Sequence, residues 1–230
     1  MAAADPRLIV GLDAADSGEA QALVERLDEL VGFYKVGLTL LAADGLALSR
    51  ALKAAGKQVF QDWKLHDIGA QVEGAAASVA ASGCDLFTVH AEPQVMAAAV
   101  RGRGDRPARI LAVTVMTSLS DADLREIGYA DGARTLVERR VRQAVEAGCD
   151  GVVASPQEAE LAREIGGPEF LVVTPGVRRS GAAHDDQART ATPAEALRKG
   201  ASHLVVARPI IRAQDPRAAA QAILEEMAAA

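Results

Sequence analysis

Ser82-Gly83-Cys84-Asp85-Leu86-Phe87-Thr88-Val89-His90 reads, within nine residues, as the end of a helix, a turn and a strand. A glycine just past a helix adopts the left-handed conformation that ends it without the steric cost of a Cβ. The near-copy Ala147-Gly148-Cys149-Asp150 uses the same device, and Ala55-Gly56 and Lys199-Gly200 mark two more such junctions. Working outward, short runs rich in Val, Ile and Leu fall at 8–12, 33–37, 58–64, 86–90, 110–115, 151–154, 170–174 and 203–207. Ala/Glu/Arg-rich amphipathic segments separate them, among them 17–30, 134–147 and 193–199, with a last helix at 215–227. Strands with few charges suit a parallel sheet covered by helices. Eight strand–helix units with no linker between them predict an α/β fold, a single (β/α)8 (TIM) barrel over residues 1–230. A doubly wound open sheet is the runner-up, but no glycine fingerprint of a dinucleotide fold is present.

Composition narrows the function classes. The 230 residues are half hydrophobic, enough for a substantial core, which argues against disorder. A net charge of −6 disfavours nucleic acid as the main partner. Two cysteines, Cys84 and Cys149, are too few for a disulfide framework and lack metal-ligand spacing. With no leader-like start and no apolar run of membrane-spanning length, the chain reads as cytoplasmic, with no membrane partner.

The chemistry gathers in Asp62-Trp63-Lys64-Leu65-His66-Asp67. Strand alternation sends Asp62 and Lys64 to one side and Trp63 to the other, beneath helices. Charges inside a fold are costly unless paired, so an Asp–Lys pair there is rarely accidental; an edge-strand ion pair on the surface is the bland alternative. Other polar residues fall at the same end of the predicted barrel: Asp13 after the first strand, Lys35 near the end of the second, Thr117 and Ser118 after the fifth, Arg178 after the seventh and Arg208 after the eighth. Active sites of such barrels lie at the C-terminal strand ends. Met96 and Met116 read as core, and His66 and His90 as structural histidines. Arg179, Arg189 and Arg212 read as surface charge. Ser17 is the nearer cap for the first helix, Asp13 the more distant one, and Ser118, Ser120 and Asp121 form a polar loop suited to capping a helix.

The motif Asp62-x-Lys64-x-x-Asp67 resembles the signature of the orotidine 5′-monophosphate decarboxylases. Leu12-Asp13, Tyr34-Lys35-Val36-Gly37, Thr114-Val115-Met116-Thr117-Ser118, Thr174-Pro175-Gly176-Val177-Arg178, Asp185-Asp186-Gln187 and Val205-Val206-Ala207-Arg208-Pro209-Ile210 extend the resemblance over almost the whole chain, in the family's order. The resemblance implies conversion of orotidine 5′-monophosphate to uridine 5′-monophosphate and carbon dioxide, the last step of de novo pyrimidine synthesis, with neither metal nor organic cofactor. It implies a catalytic Lys35–Asp62–Lys64–Asp67 array with Lys64 as proton donor, and a homodimer in which Asp67 reaches the neighbouring subunit's site. It also implies ribose contact by Asp13, pyrimidine contact by Thr117, and phosphate contact by Arg178, Gln187, Ala207 and Arg208.

Two departures stand out. Many members carry Pro-Asn-Thr after the motif, where this chain has Gly69-Ala70-Gln71, so Gln71 is expected to take over the threonine's ribose contact; a glycine is usual where Ala207 stands. Relatives sharing the Asp-x-Lys-x-x-Asp pattern use magnesium on sugar phosphates, and a non-catalytic nucleotide sensor is a further alternative. The set around Thr117, Arg178 and Gln187 favours the decarboxylase over the former, and the presence of both Lys64 and Asp62 favours it over the latter.

Overall fold

The structure, a computed structural model, describes residues 4–178 and 191–230. Eight parallel strands close into a barrel in sequence order: β1 (Leu8–Gly11), β2 (Phe33–Val36), β3 (Gln58–Leu65), β4 (Leu86–His90), β5 (Arg109–Val113), β6 (Gly151–Val153), β7 (Leu171–Thr174) and β8 (His203–Val206). β8 returns to pair with β1, Val205 opposite Ile9. β4 has its predicted bounds, and the other strands differ from the predicted ones by at most two residues at an end. The predicted helix at 17–30 ends at Leu27 and continues as a 3-10 turn, Asp28–Leu30. Short helices at Leu38–Ala42, Asp121–Glu126 and Arg208–Ile211 also occur, too brief to carry a sequence period of their own.

Alternation along each strand produces two cores. Ile9, Phe33, Phe60, Leu86, Leu111, Leu171, Val173 and Val205 fill the barrel interior. Leu8, Val10, Tyr34, Val36, Val59, Trp63 and Phe87, from the opposite parity, pack outward against the helices with Met96. Trp63 therefore lies where the sequence places it.

The four junction glycines, Gly56, Gly83, Gly148 and Gly200, all adopt positive φ, between 75° and 95°. The residue two past the glycine does more. Asp85 accepts from the Val59 N–H at 2.7 Å and pairs with Lys53 at 2.8 Å, while Asp150 accepts from the Ile110 N–H at 2.7 Å and pairs with Arg103 at 2.7 Å. Each aspartate also bridges its neighbouring strands through its own backbone, Asp85 from Val59 to Arg109 and Asp150 from Ile110 to Leu171. The repeated Gly-Cys-Asp is thus a tie at the strand beginnings, opposite the end where the polar residues gather.

Helix starts follow side-chain chemistry. The cap of Ser17–Leu27 is Asp16, which accepts from the Glu19 N–H, rather than Ser17 or Asp13. Ser17 instead donates to the Ala43 carbonyl at 2.8 Å. Ser120 caps Asp121–Glu126 in a reciprocal box with Asp123. Among the described residues no helix is long and apolar enough to cross a membrane.

Candidate active site

The end of β3 is where the ladder breaks. Gln61 pairs with Phe87 and Leu65 with Val89, so Asp62, Trp63 and Lys64 share the stretch opposite Thr88 alone. Lys64 takes φ 51°, a left-handed conformation that costs a non-glycine residue about 1 kcal/mol or more. Asp62 and Lys64 do face one side, but through a bulge and not through regular alternation. The Lys64 N–H donates to Thr88 Oγ1 at 2.9 Å, and Thr88 Oγ1 donates to Asp62 Oδ1 at 3.0 Å.

The charges form a chain across three strands. Lys64 Nζ lies 2.8 Å from Asp62 Oδ1, Lys35 Nζ 3.6 Å from Asp62 Oδ2 and 3.3 Å from Asp13 Oδ1. The observed order within one chain is therefore Asp13–Lys35–Asp62–Lys64. Burial alone would raise the Asp62 pKa. The Lys35 and Lys64 charges, with hydrogen bonds from Lys64 and Thr88, outweigh it and hold the carboxyl below its ordinary value.

Beneath and beside these charges lies a cavity of about 220 Å³ with Phe60, Val113, Val153 and Val205 as its apolar lining and Thr117 and Ser118 at its polar edge. A second cavity, about 130 Å³, shares Lys35, Pro175 and Val205 with the first and carries Asp13, Arg178, Ala207 and Arg208. The two form one elongated cleft with an acid–base end and an arginine end. Arg178 is buried and donates to the Val177 carbonyl at 3.0 Å. Arg208 opens the short helix that follows β8. The Ala207 methyl is accommodated by Gly11: a Cβ at position 11 would meet Ala207 Cβ at 2.8 Å and Lys35 Cε at 3.3 Å.

Not every expected residue joins this cleft. Asp67 is exposed, its carboxylate accepting from the Ile68 N–H at 2.6 Å, and Gln71 is exposed in the first turn of the helix Gly69–Ala81. Gln187 lies outside the described residues, as do Asp185, Asp186, Arg179 and Arg189. Met116, read as core, is 42% exposed and lines the larger cavity, because β5 has ended and its loop carries the side chain to the rim. His66 and His90 pack ring to ring at 4.7 Å in a neighbouring cavity with Glu92 and Arg140, apart from the charge chain. Thr88 is the residue that sequence reasoning missed; its inward parity with Leu86 was visible, but its role depends on the bulge. Among the described residues no group of three or more His, Cys, Asp or Glu is arranged to hold a metal ion.

A closed parallel barrel with a lysine-bridged carboxylate and an arginine-lined recess at its strand ends defines the class: a (β/α)8-barrel enzyme for small anionic substrates. The chain belongs to the Orotidine 5′-phosphate decarboxylase / HUMPS family, whose model matches residues 6–223. It is 66% identical to an orotidine 5′-phosphate decarboxylase of Caulobacter sp. (strain K31), over 98% of both chains. With one from Rhodopseudomonas palustris (strain ATCC BAA-98 / CGA009) it shares 55% identity over 97% of this chain and 94% of the other. A crystal structure of an orotidine 5′-phosphate decarboxylase from Lactobacillus acidophilus superposes with a TM-score of 0.84 at 34% identity, covering 97% of this chain and 99% of that one.

Proposed function

We propose that this protein, as one barrel domain over residues 1–230, is a carboxy-lyase that converts orotidine 5′-phosphate to uridine 5′-phosphate and carbon dioxide, closing de novo pyrimidine synthesis. The observation that carries the reading is the Lys35–Asp62–Lys64 bridge, set over an apolar lining and continuous with a recess bearing two arginines. Full-length similarity to enzymes of that name supports it.

The pyrimidine lies in the larger cavity, held at its edge by Thr117, and the phosphate in the smaller one, against Arg178 and Arg208 beside Ala207. Arginine suits a phosphate dianion because its planar fork offers several donors. Lys35, which lines both cavities, and Asp13 beside it in the smaller one face the ribose. The bond from C6 to the carboxylate carbon breaks and its electron pair stays on C6, where the ring delocalises little of it. The Lys64 ammonium stabilises that pair as it develops, then gives C6 a proton. Asp62 lies beside the substrate carboxylate. Two like charges about 4 Å apart repel by roughly 4 kcal/mol at an effective dielectric near 20, and loss of carbon dioxide relieves that repulsion. No metal or organic cofactor takes part in this scheme.

The reading includes a homodimer in which Asp67 and Gln71 serve the partner's site. Exposure of both residues outside their own chain's cleft supports it, as does Ile68 between Asp67 and Gly69, an apolar side chain 70% exposed.

The test follows orotidine 5′-phosphate absorbance with purified protein in EDTA, beside Lys64→Ala. Rapid decay by wild type and loss of about 10³-fold or more in kcat in Lys64→Ala are expected, since one group supplies both charge stabilisation and the proton. A folded wild type that leaves the substrate intact overturns the reading.

A further inference from the structure

We propose that Thr88 is a positioning residue for the decarboxylation, its one hydroxyl holding the Lys64 backbone and the Asp62 carboxylate in a fixed mutual geometry; this rests on the roles given above to Lys64 and Asp62. Thr88 is fully buried in β4, at the point where three β3 residues crowd opposite one. In a regular parallel ladder a carbonyl of a neighbouring strand would accept from the Lys64 N–H; at the bulge a side chain of β4 is the partner instead. Thr88 Oγ1 fills that role at 2.9 Å and spends its own proton on Asp62 Oδ1 at 3.0 Å. That same Asp62 oxygen receives the Lys64 ammonium at 2.8 Å.

The contacts close a ring: Lys64 backbone to Thr88, Thr88 to Asp62, Asp62 to the Lys64 ammonium. A lysine has a long flexible stem, and its left-handed backbone holds only where the surroundings fix it. The ring fixes the stem at both ends. It also sets the Asp62 rotamer, leaving Oδ2 turned toward Lys35 at 3.6 Å. A side chain without a hydroxyl leaves the Lys64 N–H without this acceptor and Asp62 without one donor, although Thr88 itself touches no reacting atom.

A threonine that merely fills the inner layer predicts something different. Any loss would then follow side-chain volume, and would appear as lowered thermal stability without a changed pH profile. The experiment measures kcat, KM, thermal midpoint and the acid limb of the kcat–pH profile for Thr88→Ser, Thr88→Ala and Thr88→Val. Ser and Ala shrink the residue similarly and differ in the hydroxyl, so a packing defect appears in both; Val keeps the shape and lacks the hydroxyl. We expect Ser to retain most of the wild-type kcat, and Ala and Val to lose about 10²-fold with little change in KM, the penalty for a misplaced reacting group. The acid limb of Ala and Val moves to higher pH, because Asp62 loses a hydrogen bond that favours its charged form. Ala and Val rates equal to that of Ser, or losses that track the thermal midpoint with an unmoved acid limb, overturn the proposal. Wild-type activity is measured first: an active wild type with insensitive Thr88 variants removes only the role of Thr88, whereas an inactive wild type removes the decarboxylase reading and this inference with it.

Discussion

The carboxylate of Asp62 has one ammonium on each oxygen, Lys64 on Oδ1 and Lys35 on Oδ2. Its depressed pKa makes the array a pH-dependent contributor to stability. Between the lowered folded value and the ordinary 3.8, the unfolded chain binds more protons than the folded one, so stability falls as pH falls. The contribution is complete above the ordinary carboxylate value and is lost as pH drops through the folded one. Lys35→Met removes one cation and leaves the burial, so the Asp62 pKa should rise toward the ordinary value, the pH-dependent contribution should shrink and its loss should be complete at a higher pH. Titration of the Asp62 carboxyl carbon by NMR, in wild type and Lys35→Met, checks this; an unmoved titration would mean that the 3.6 Å separation carries no coupling. The residue types of this array were readable in the sequence because a carboxylate and an amine two apart on a buried strand have few structural excuses. The Lys35–Asp13 contact was not, because a chain read alone does not show which carboxylate a neighbouring strand delivers to Lys35; Asp67 is expected from the neighbouring subunit, and Asp13 is the further carboxylate within the chain.

At the scale of elements, the eight strands were legible because buried parallel strands read as uninterrupted apolar runs between glycine-ended helices. Ladder defects were not legible. The β3 bulge depends on the register of β4, and no local pattern in 58–67 encodes that register. The repeated Gly-Cys-Asp shows the same limit: its glycine was interpretable in place, while the aspartate's acceptor role depends on N–H groups 26 and 40 residues earlier in the chain. That role carries a stability prediction. Asp85→Ala leaves the Val59 N–H and Lys53 without their carboxylate, and Asp150→Ala does the same to Ile110 and Arg103. Each should cost about 1–3 kcal/mol in denaturant unfolding, the usual penalty for stranding a buried donor. Because both ties sit at the strand beginnings, kcat below the new melting midpoint should match wild type. A lowered kcat in a fully folded variant would show that the two ends of the barrel are coupled.

At the scale of the whole molecule, a single chain gathers Asp13, Lys35, Asp62 and Lys64 but leaves Asp67 and Gln71 exposed outside the cleft. Exposed Ile68, Met116 and Ile127 add apolar surface to the strand-end loops. A second copy across a two-fold axis would cover such surface and deliver both polar residues at once, since the interface of a symmetric dimer presents each residue twice. The consequence is testable without a structure of the dimer. Lys64→Ala and Asp67→Ala homodimers should each be nearly inactive. On subunit exchange, a heterodimer pairs the intact Lys64 of one chain with the intact Asp67 of the other in one site and leaves the second site with neither. Random 1:1 exchange should therefore restore about a quarter of wild-type activity, because half the dimers are mixed and each holds one complete site. Exchange is verified by mass spectrometry of differently tagged chains. Proven exchange with no recovery would place Lys64 and Asp67 in the service of the same chain's site, and Asp67 would then have to reach its own cleft through movement of the segment that follows β3.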